Sequence, residues 1–220
     1  MPKQTFLNLP AEKRQQIVDA ATEEFAENGL ENASTNRIVA NSGISKGSFY
    51  QYFEDKQDLF DYLMTLLAEE KITFLQAVSP PDANLDTFGY YRWLVKRALE
   101  FNSAHPYMVQ AVQRVLLGDG LYYGKSYADY REQSRQALEA MVEKAMQSGE
   151  MDPSVDVELA VMIMETWNNA MTTYFLREGM KQDDFMAWVR SPETQEKIEK
   201  ILYIMEYGLR KTESSFESLA

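Results

Sequence analysis

The chain contains no cysteine and a single histidine, His105. Disulfides and thiolate metal sites are therefore excluded, and one imidazole is too few for a His-rich metal site or a histidine relay. No metal and no cofactor is expected. Long apolar runs are missing too: the opening MPKQTFLNLP holds no stretch of signal-peptide length, and nothing approaches the roughly 20 uncharged apolar residues of a membrane span. The expectation is a cytoplasmic protein with no membrane partner. Sustained period-two alternation is absent, as are a phosphate-binding glycine loop and a dinucleotide fingerprint.

An arrangement for catalysis is also lacking. The carboxylate pairs Glu23 with Glu24, Glu69 with Glu70 and Asp183 with Asp184 are adjacent in sequence, so on a helix they diverge instead of converging on one site. His105 stands before Pro106, and the sequence alone marks no group to orient it, which suits a helix end better than a general base. The chain is not expected to be an enzyme.

What is present is helical periodicity in a chain of 220 residues with 45% hydrophobic content, enough for a real core in one body plus a small appended module. Apolar residues recur three and four apart, as in Ile17, Ala21, Phe25 and again in Leu59, Leu63, Leu66, Leu67. Breaks fall at Gly29, Ser42-Gly43, Pro80-Pro81, His105-Pro106, the stretch 118–124, Gly149 to Pro153 and Ser191-Pro192. The spacing predicts an all-α fold of about nine helices. A boundary is expected near residue 55, dividing a head over 1–55 from a body over 56–220, with no floppy linker between them.

A net charge of −12 argues at first against nucleic acid, since an acidic surface repels phosphate. Its distribution is more telling. From Asn32 to Phe53 there is no Asp or Glu, while Arg37 and Lys46 lie inside that window and Lys56 just beyond it.

Residues 10–28 predict a first amphipathic helix, with Pro10 tolerated in its first turn and Gly29 placed to end it. Ser34 or Thr35 can then cap a short helix through Ala40, Ser42-Gly43 supplies a tight turn, and Ser45 caps a second short helix to about Tyr52. This is helix-turn-helix grammar. Gly43 can take a positive φ without penalty, while Ile38, Val39, Ile44, Phe49 and Phe53 can seat both short helices on the first. Asp55, with Asp58 three residues on, caps the next helix. The second short helix offers hydroxyls, an amide and a lysine for phosphates and base edges, and its small residues allow close backbone approach. Lys46 and Lys56 suit phosphate clamps.

The pattern Thr35, Ile38, Ala40, Gly43, Ile44, Ser45, Lys46, Gly47, Tyr50, Tyr52, Phe53, Lys56, Leu59 resembles the TetR family of bacterial regulators over about residues 10–65. The resemblance implies a three-helix DNA-binding head, a fourth helix joining it to a helical ligand-binding body, and a homodimer on a palindromic double-stranded DNA operator, released by a small-molecule effector. Carried over, Thr35 and Arg37 touch the DNA backbone, Ser45, Lys46, Gly47, Ser48, Tyr50, Gln51 and Tyr52 form the recognition surface, and Lys56 matches the family's lysine at the next helix start. Tyr52 departs from the histidine that many members carry, which leaves the preferred operator open. Gln51 is the expected base contact, because an amide can address adenine with two hydrogen bonds.

Beyond residue 60 the pattern stops and composition must serve. Ten of twelve methionines lie between Met108 and Met205. Such side chains line apolar cavities or simply fill cores. Phe88, Tyr91, Met108, Tyr123, Tyr127, Trp167 and Met171, with Arg92 and Arg114, are the candidate lining for a hydrophobic or amphipathic anionic effector; the competing reading is plain core with arginines paired to surface carboxylates. Two late helices carry broad apolar faces, Leu159, Met162 and Ile163 on one and Ile198, Ile201, Leu202 and Met205 on the other, suited to a four-helix interface between two subunits or to an intramolecular core. The expected function is a transcription repressor in which the effector shifts the helix after Lys56 and respaces the two heads. The alternative is an all-helical adaptor that binds only protein, which leaves the acid-free window unexplained.

Overall fold

The computed structural model describes residues 2–82, 84–117 and 125–210. Among them are eleven α-helices and no strand: α1 (Gln4–Leu7), α2 (Ala11–Asn32), α3 (Thr35–Ser42), α4 (Lys46–Tyr52), α5 (Lys56–Gln76), α6 (Thr87–Ala104), α7 (Pro106–Leu117), α8 (Lys125–Gln147), α9 (Val157–Gly179), α10 (Phe185–Arg190) and α11 (Pro192–Leu209). The all-α expectation holds. Two helices exceed the nine read from periodicity, α1 and α10, of four and six residues. Fewer than two turns leave no repeat for a period of 3.6 to register.

Local chemistry explains the boundaries. Gly29, at φ 70 and ψ 171, breaks the helical path of α2 where only glycine is comfortable. Ser34 caps α3 by accepting from the Arg37 N–H, which settles the choice between Ser34 and Thr35. Gly43 ends α3 in the left-handed region at φ 63, ψ 31. Ser45 caps α4 through the Ser48 N–H. Asp55 accepts from the Asp58 N–H at 2.8 Å while Asp58 accepts from the Glu54 N–H at 3.1 Å, a reciprocal cap at the start of α5. Asp156, Asp184 and Ser191 cap α9, α10 and α11 in the same manner.

The chain divides into two compact units. The first takes the described residues up to Ile72 and those between His105 and Tyr130; the second takes those between Thr73 and Ala104 and from Arg131 onward. Residue 55 precedes α5 inside the first unit. There α2 packs against both α3 and α7, and α4 packs against α1 and α3. Ile17, Ala21, Phe25, Ile38, Phe49, Phe53 and Leu59 are fully buried, with Phe25 and Phe60 edge to face at 5.0 Å.

In the second unit α6, α9, α10 and α11 pack on one another around Phe88, Tyr91, Val95, Val161, Met164, Met171, Phe175, Ile198, Leu202 and Met205. Leu138, Val142 and Ala145 of α8 join the same core. The short helix α10 is wedged in by Phe185, whose ring lies where a side chain on Gly179 would project. A Cβ there would meet the ring at 2.0 Å. Gly179→Ala should therefore destabilise the second unit by about 1–3 kcal/mol despite the better helix propensity of alanine, read as a lower midpoint in chemical denaturation followed by tryptophan fluorescence. An unchanged midpoint would mean that Phe185 is free to leave its seat.

Candidate nucleic-acid interface

Helix α4 presents two faces. Phe49 is fully buried on one, with Phe53, the residue that ends the helix, buried beside it; Lys46, Gly47, Tyr50 and Gln51 stand in solvent on the other. Positions i, i+1, i+4 and i+5 form one continuous strip on a helix, so these four residues share a surface. The strip lies within the acid-free window. It joins one ammonium, one bare backbone segment, one phenol and one amide, a set able to meet phosphates and base edges together.

The other residues proposed for DNA contact are engaged within the head. Ser45 and Ser48 share a hydroxyl pair at 2.8 Å in addition to the cap. Tyr52 is half-buried, its ring 6.0 Å from that of Phe6. Arg37 grips the buried Glu24 with two of its nitrogens: Nε donates to the carboxylate oxygens at 3.0 and 2.8 Å, and Nη2 donates at 2.5 Å. Nη2 also donates to the Asn32 carbonyl. Lys56 donates to the carbonyls of Glu31 and Ala33 at 2.6 and 3.1 Å, closing the C-terminal end of α2. Thr35 is half-buried at the first position of α3. The geometry thus gives Arg37 and Lys56 structural work that was not legible from their place in the motif.

The same holds for the remaining cations. Lys13 donates to the carbonyls of Ser42 and Gly43 across the turn, and Arg14 to those of Leu7 and Leu9. Lys3 donates to the Tyr50 carbonyl. Of the basic residues in positions 1–60, Lys46 alone makes no hydrogen bond or ion pair among the described residues.

Glu24 is the electrostatic centre of the head. Its hydrogen bonds from the Arg37 guanidinium hold the carboxyl below its ordinary value, against burial, and the Ser34 N–H adds to this at 2.7 Å.

The proposed effector-lining residues fall into separate groups. Phe88, Tyr91 and Met171 belong to the buried core of the second unit, and Trp167 packs against it. The Tyr91 hydroxyl donates to Asn168 Oδ1 at 3.0 Å, and burial pushes this phenol well up. Arg92 pairs with Glu199 and Glu206 of α11. Arg97, one turn further along α6, pairs with Glu100 at 2.6 Å. Met108 is buried and Arg114 exposed, both on α7 in the first unit. Tyr123 and the side chain of Tyr127 lie outside the described residues.

The dimer candidates need a correction. Ile198, Leu202 and Met205 face the chain's own core and are buried there, so they cannot also face a partner. Ile163 and Ile201 are half-buried against that core, while Leu159 and Met162 remain 40% and 53% exposed. On α11, Tyr203, Ile204 and Tyr207 are exposed by 59%, 60% and 67%. That outer face was missed because α11 is apolar on two sides, and periodicity alone does not say which side the core takes.

Known proteins resemble this chain along most of its length. The family model for bacterial regulatory proteins of the tetR family matches residues 17–63. The crystal structure of a TetR family transcriptional regulator from Chloroflexus aurantiacus J-10-FL is 32% identical, with a TM-score of 0.81 over 96% of this chain and 100% of the other. The fatty acid metabolism regulator protein of Bacillus subtilis (strain 168) is 26% identical over 183 residues, 76% of this chain and 85% of that protein. The transcriptional regulator FadR from Bacillus subtilis, solved in complex with stearoyl-CoA, shares the fold at 20% identity, with a TM-score of 0.65 over 88% of this chain and 98% of the other.

A lowered carboxyl pKa contributes stability above the unfolded value and loses it as pH falls through the folded one. The head should therefore weaken as pH drops below about 4.5, the ordinary value for Glu24, and Glu24→Gln should remove that portion of the acid sensitivity. Thermal unfolding by circular dichroism between about pH 3 and 7 measures both; identical profiles for the two proteins would assign the acid loss to other carboxylates.

Proposed function

This chain belongs to the TetR family of bacterial regulatory proteins and is a DNA-binding transcription regulator; from that premise we propose that it works as a homodimeric repressor released from a palindromic operator by a hydrophobic or amphipathic effector. The observation that carries the DNA contact is the exposed strip Lys46, Gly47, Tyr50 and Gln51 on a capped helix inside an acid-free window. Gln51 reads a base edge, Lys46 clamps a phosphate, and Thr35 and Ser45 lie at the N-terminal ends of their helices, where backbone N–H groups favour anions. Arg37, Lys56, Ser48 and Tyr52 hold this surface in shape, and any DNA contact they make is secondary to that.

Dimerisation through α9 and α11 is supported by the outer apolar face of Leu159, Met162, Tyr203, Ile204 and Tyr207, on two helices that pack on each other. Two heads held this way address half-sites roughly 34–36 Å apart, one turn of DNA. A site of action inside the cell follows from that partner.

For the effector, the reading rests on the aromatic and methionine core around Tyr91, Trp167 and Met171 and on the match to a fatty acid metabolism regulator over most of its length. The Tyr91–Asn168 pair supplies a polar end for the head group of a fatty acyl carboxylate or thioester, and Arg92 meets an anion only by releasing Glu199 and Glu206. Met108 and Arg114 sit on α7, which packs along α2, so a ligand that moves α7 acts on α2.

Fluorescence anisotropy against upstream DNA fragments should show specific binding that is lost in Lys46→Ala/Tyr50→Ala with the fold intact, and Lys46→Ala alone should lower the salt slope by about one per head. Retained binding in the double variant would send the function to another surface. Long-chain acyl compounds should raise the melting temperature and lower DNA affinity; stabilisation by none of them would remove the acyl class. Ile204→Glu/Tyr207→Glu should give a folded monomer in light scattering, whereas Ile198→Ala should cost about 2–5 kcal/mol of stability without dissociating the dimer first.

A further inference from the structure

A helix of seven residues leaves four carbonyls at its C-terminal end without intrahelical partners. In α4 every one of them is answered. The Phe49 carbonyl accepts from the Phe53 N–H at 2.9 Å. The other three are answered by a segment about 46 residues away in sequence. Lys3 Nζ donates to the Tyr50 carbonyl at 3.0 Å, the Thr5 hydroxyl donates to the Gln51 carbonyl, and the Lys3 N–H donates to the Tyr52 carbonyl at 2.8 Å. No glycine ends this helix; Phe53 leaves it in extended conformation, so the usual left-handed cap is absent.

The segment that supplies these donors is itself fixed. Phe6 is fully buried, its ring 4.7 Å from Phe53 and 5.3 Å from Tyr62. Arg14 of α2 donates to the carbonyl of Leu7 at 2.6 Å, where α1 ends. The recognition helix is therefore pinned at its C-terminal end through α1 to α2, in addition to the Ser45 cap at its start.

We propose that Lys3 to Leu7 is the C-terminal cap of the recognition helix, supplied from outside it, and that this segment sets operator specificity by fixing how α4 lies in the groove, without touching a base. The proposal rests on the DNA-binding reading of α4 given above. Tyr50 and Gln51, whose carbonyls the segment holds, are two of the four residues on the exposed strip, so loosening the cap lets both side chains drift at the contact. A positioning role of this kind differs from a phosphate contact. It changes the discrimination between operator and random DNA, whereas a phosphate contact changes affinity for both alike.

The test uses the full chain in four forms: wild type, Thr5→Val, Thr5→Ser and Lys3→Met, each titrated against operator and random-sequence DNA at several salt concentrations. Thermal unfolding verifies the fold. Thr5→Val removes a hydroxyl and no charge. The expected result is a loss of about tenfold in operator affinity, with random-sequence affinity held within about twofold, an unchanged salt slope, and recovery in Thr5→Ser. Lys3→Met should show the same selective loss. Equal losses on both DNAs with a salt slope lower by about one would make Lys3 a phosphate contact and overturn the proposal, as would full operator affinity in Thr5→Val. If wild type itself binds no operator, the DNA-binding reading fails first, and the result is separate from any failure of the cap.

Discussion

Short helices must have their ends held, and in this head Ser34, Ser45 and Asp55 hold the starts while basic residues help to hold the C-terminal ends. Helices α3 and α4, of eight and seven residues, are below the length at which a helix persists alone in water, about 12–15 residues. Lys13 closes the end of α3, Lys56 the end of α2, Lys3 the end of α4, and Arg14 the exit of α1, each by donating to backbone carbonyls. Arg37 then joins α3 to α2 through the buried Glu24. Remove these donors and the helix-turn-helix has a sequence but no fixed shape.

That use of cations resolves the tension between a net charge of −12 and a DNA-binding head. Charge in the head is spent on geometry, and the exposed strip of α4 offers one uncommitted ammonium. Such a surface draws less on counterion release and more on fit, backbone approach and base contacts. Specificity then depends on how rigidly α4 is held, which is why both of its ends are capped and its inner face is locked by Phe49, Phe53 and the buried Phe6.

Much of the head was legible because its signals are local. Ser34, Ser45 and Asp55 cap groups three residues on, and Gly43 takes the positive φ that the turn requires. Illegible were the partners reached through space: Glu24 lies 13 residues before Arg37, Glu31 lies 25 before Lys56, and Tyr50 lies 47 after Lys3. No periodicity records such pairings, and α1 is a single turn whose one buried residue, Phe6, has no companion to form a pattern. In the second unit the apolar content of α11 was plain, but its division between an inner face of Ile198, Leu202 and Met205 and an outer face of Ile204 and Tyr207 depends on where α6 and α9 pack.

The way the head is tied together also selects among mechanisms of release. Helix α2 contacts α3 and α7 directly, and through Arg14 it holds α1, which in turn caps α4. A displacement of α7 therefore reaches α2 first and carries α1, α3 and α4 with it. Melting α4 would break three capping hydrogen bonds and expose the Phe6, Phe53 and Tyr62 cluster, whereas moving the head as one body leaves all of these intact. The rigid movement is the lower-cost route. Under the proposed function, an effector thus weakens DNA binding by changing the separation and angle of two intact heads, and the recognition surface itself stays as it is.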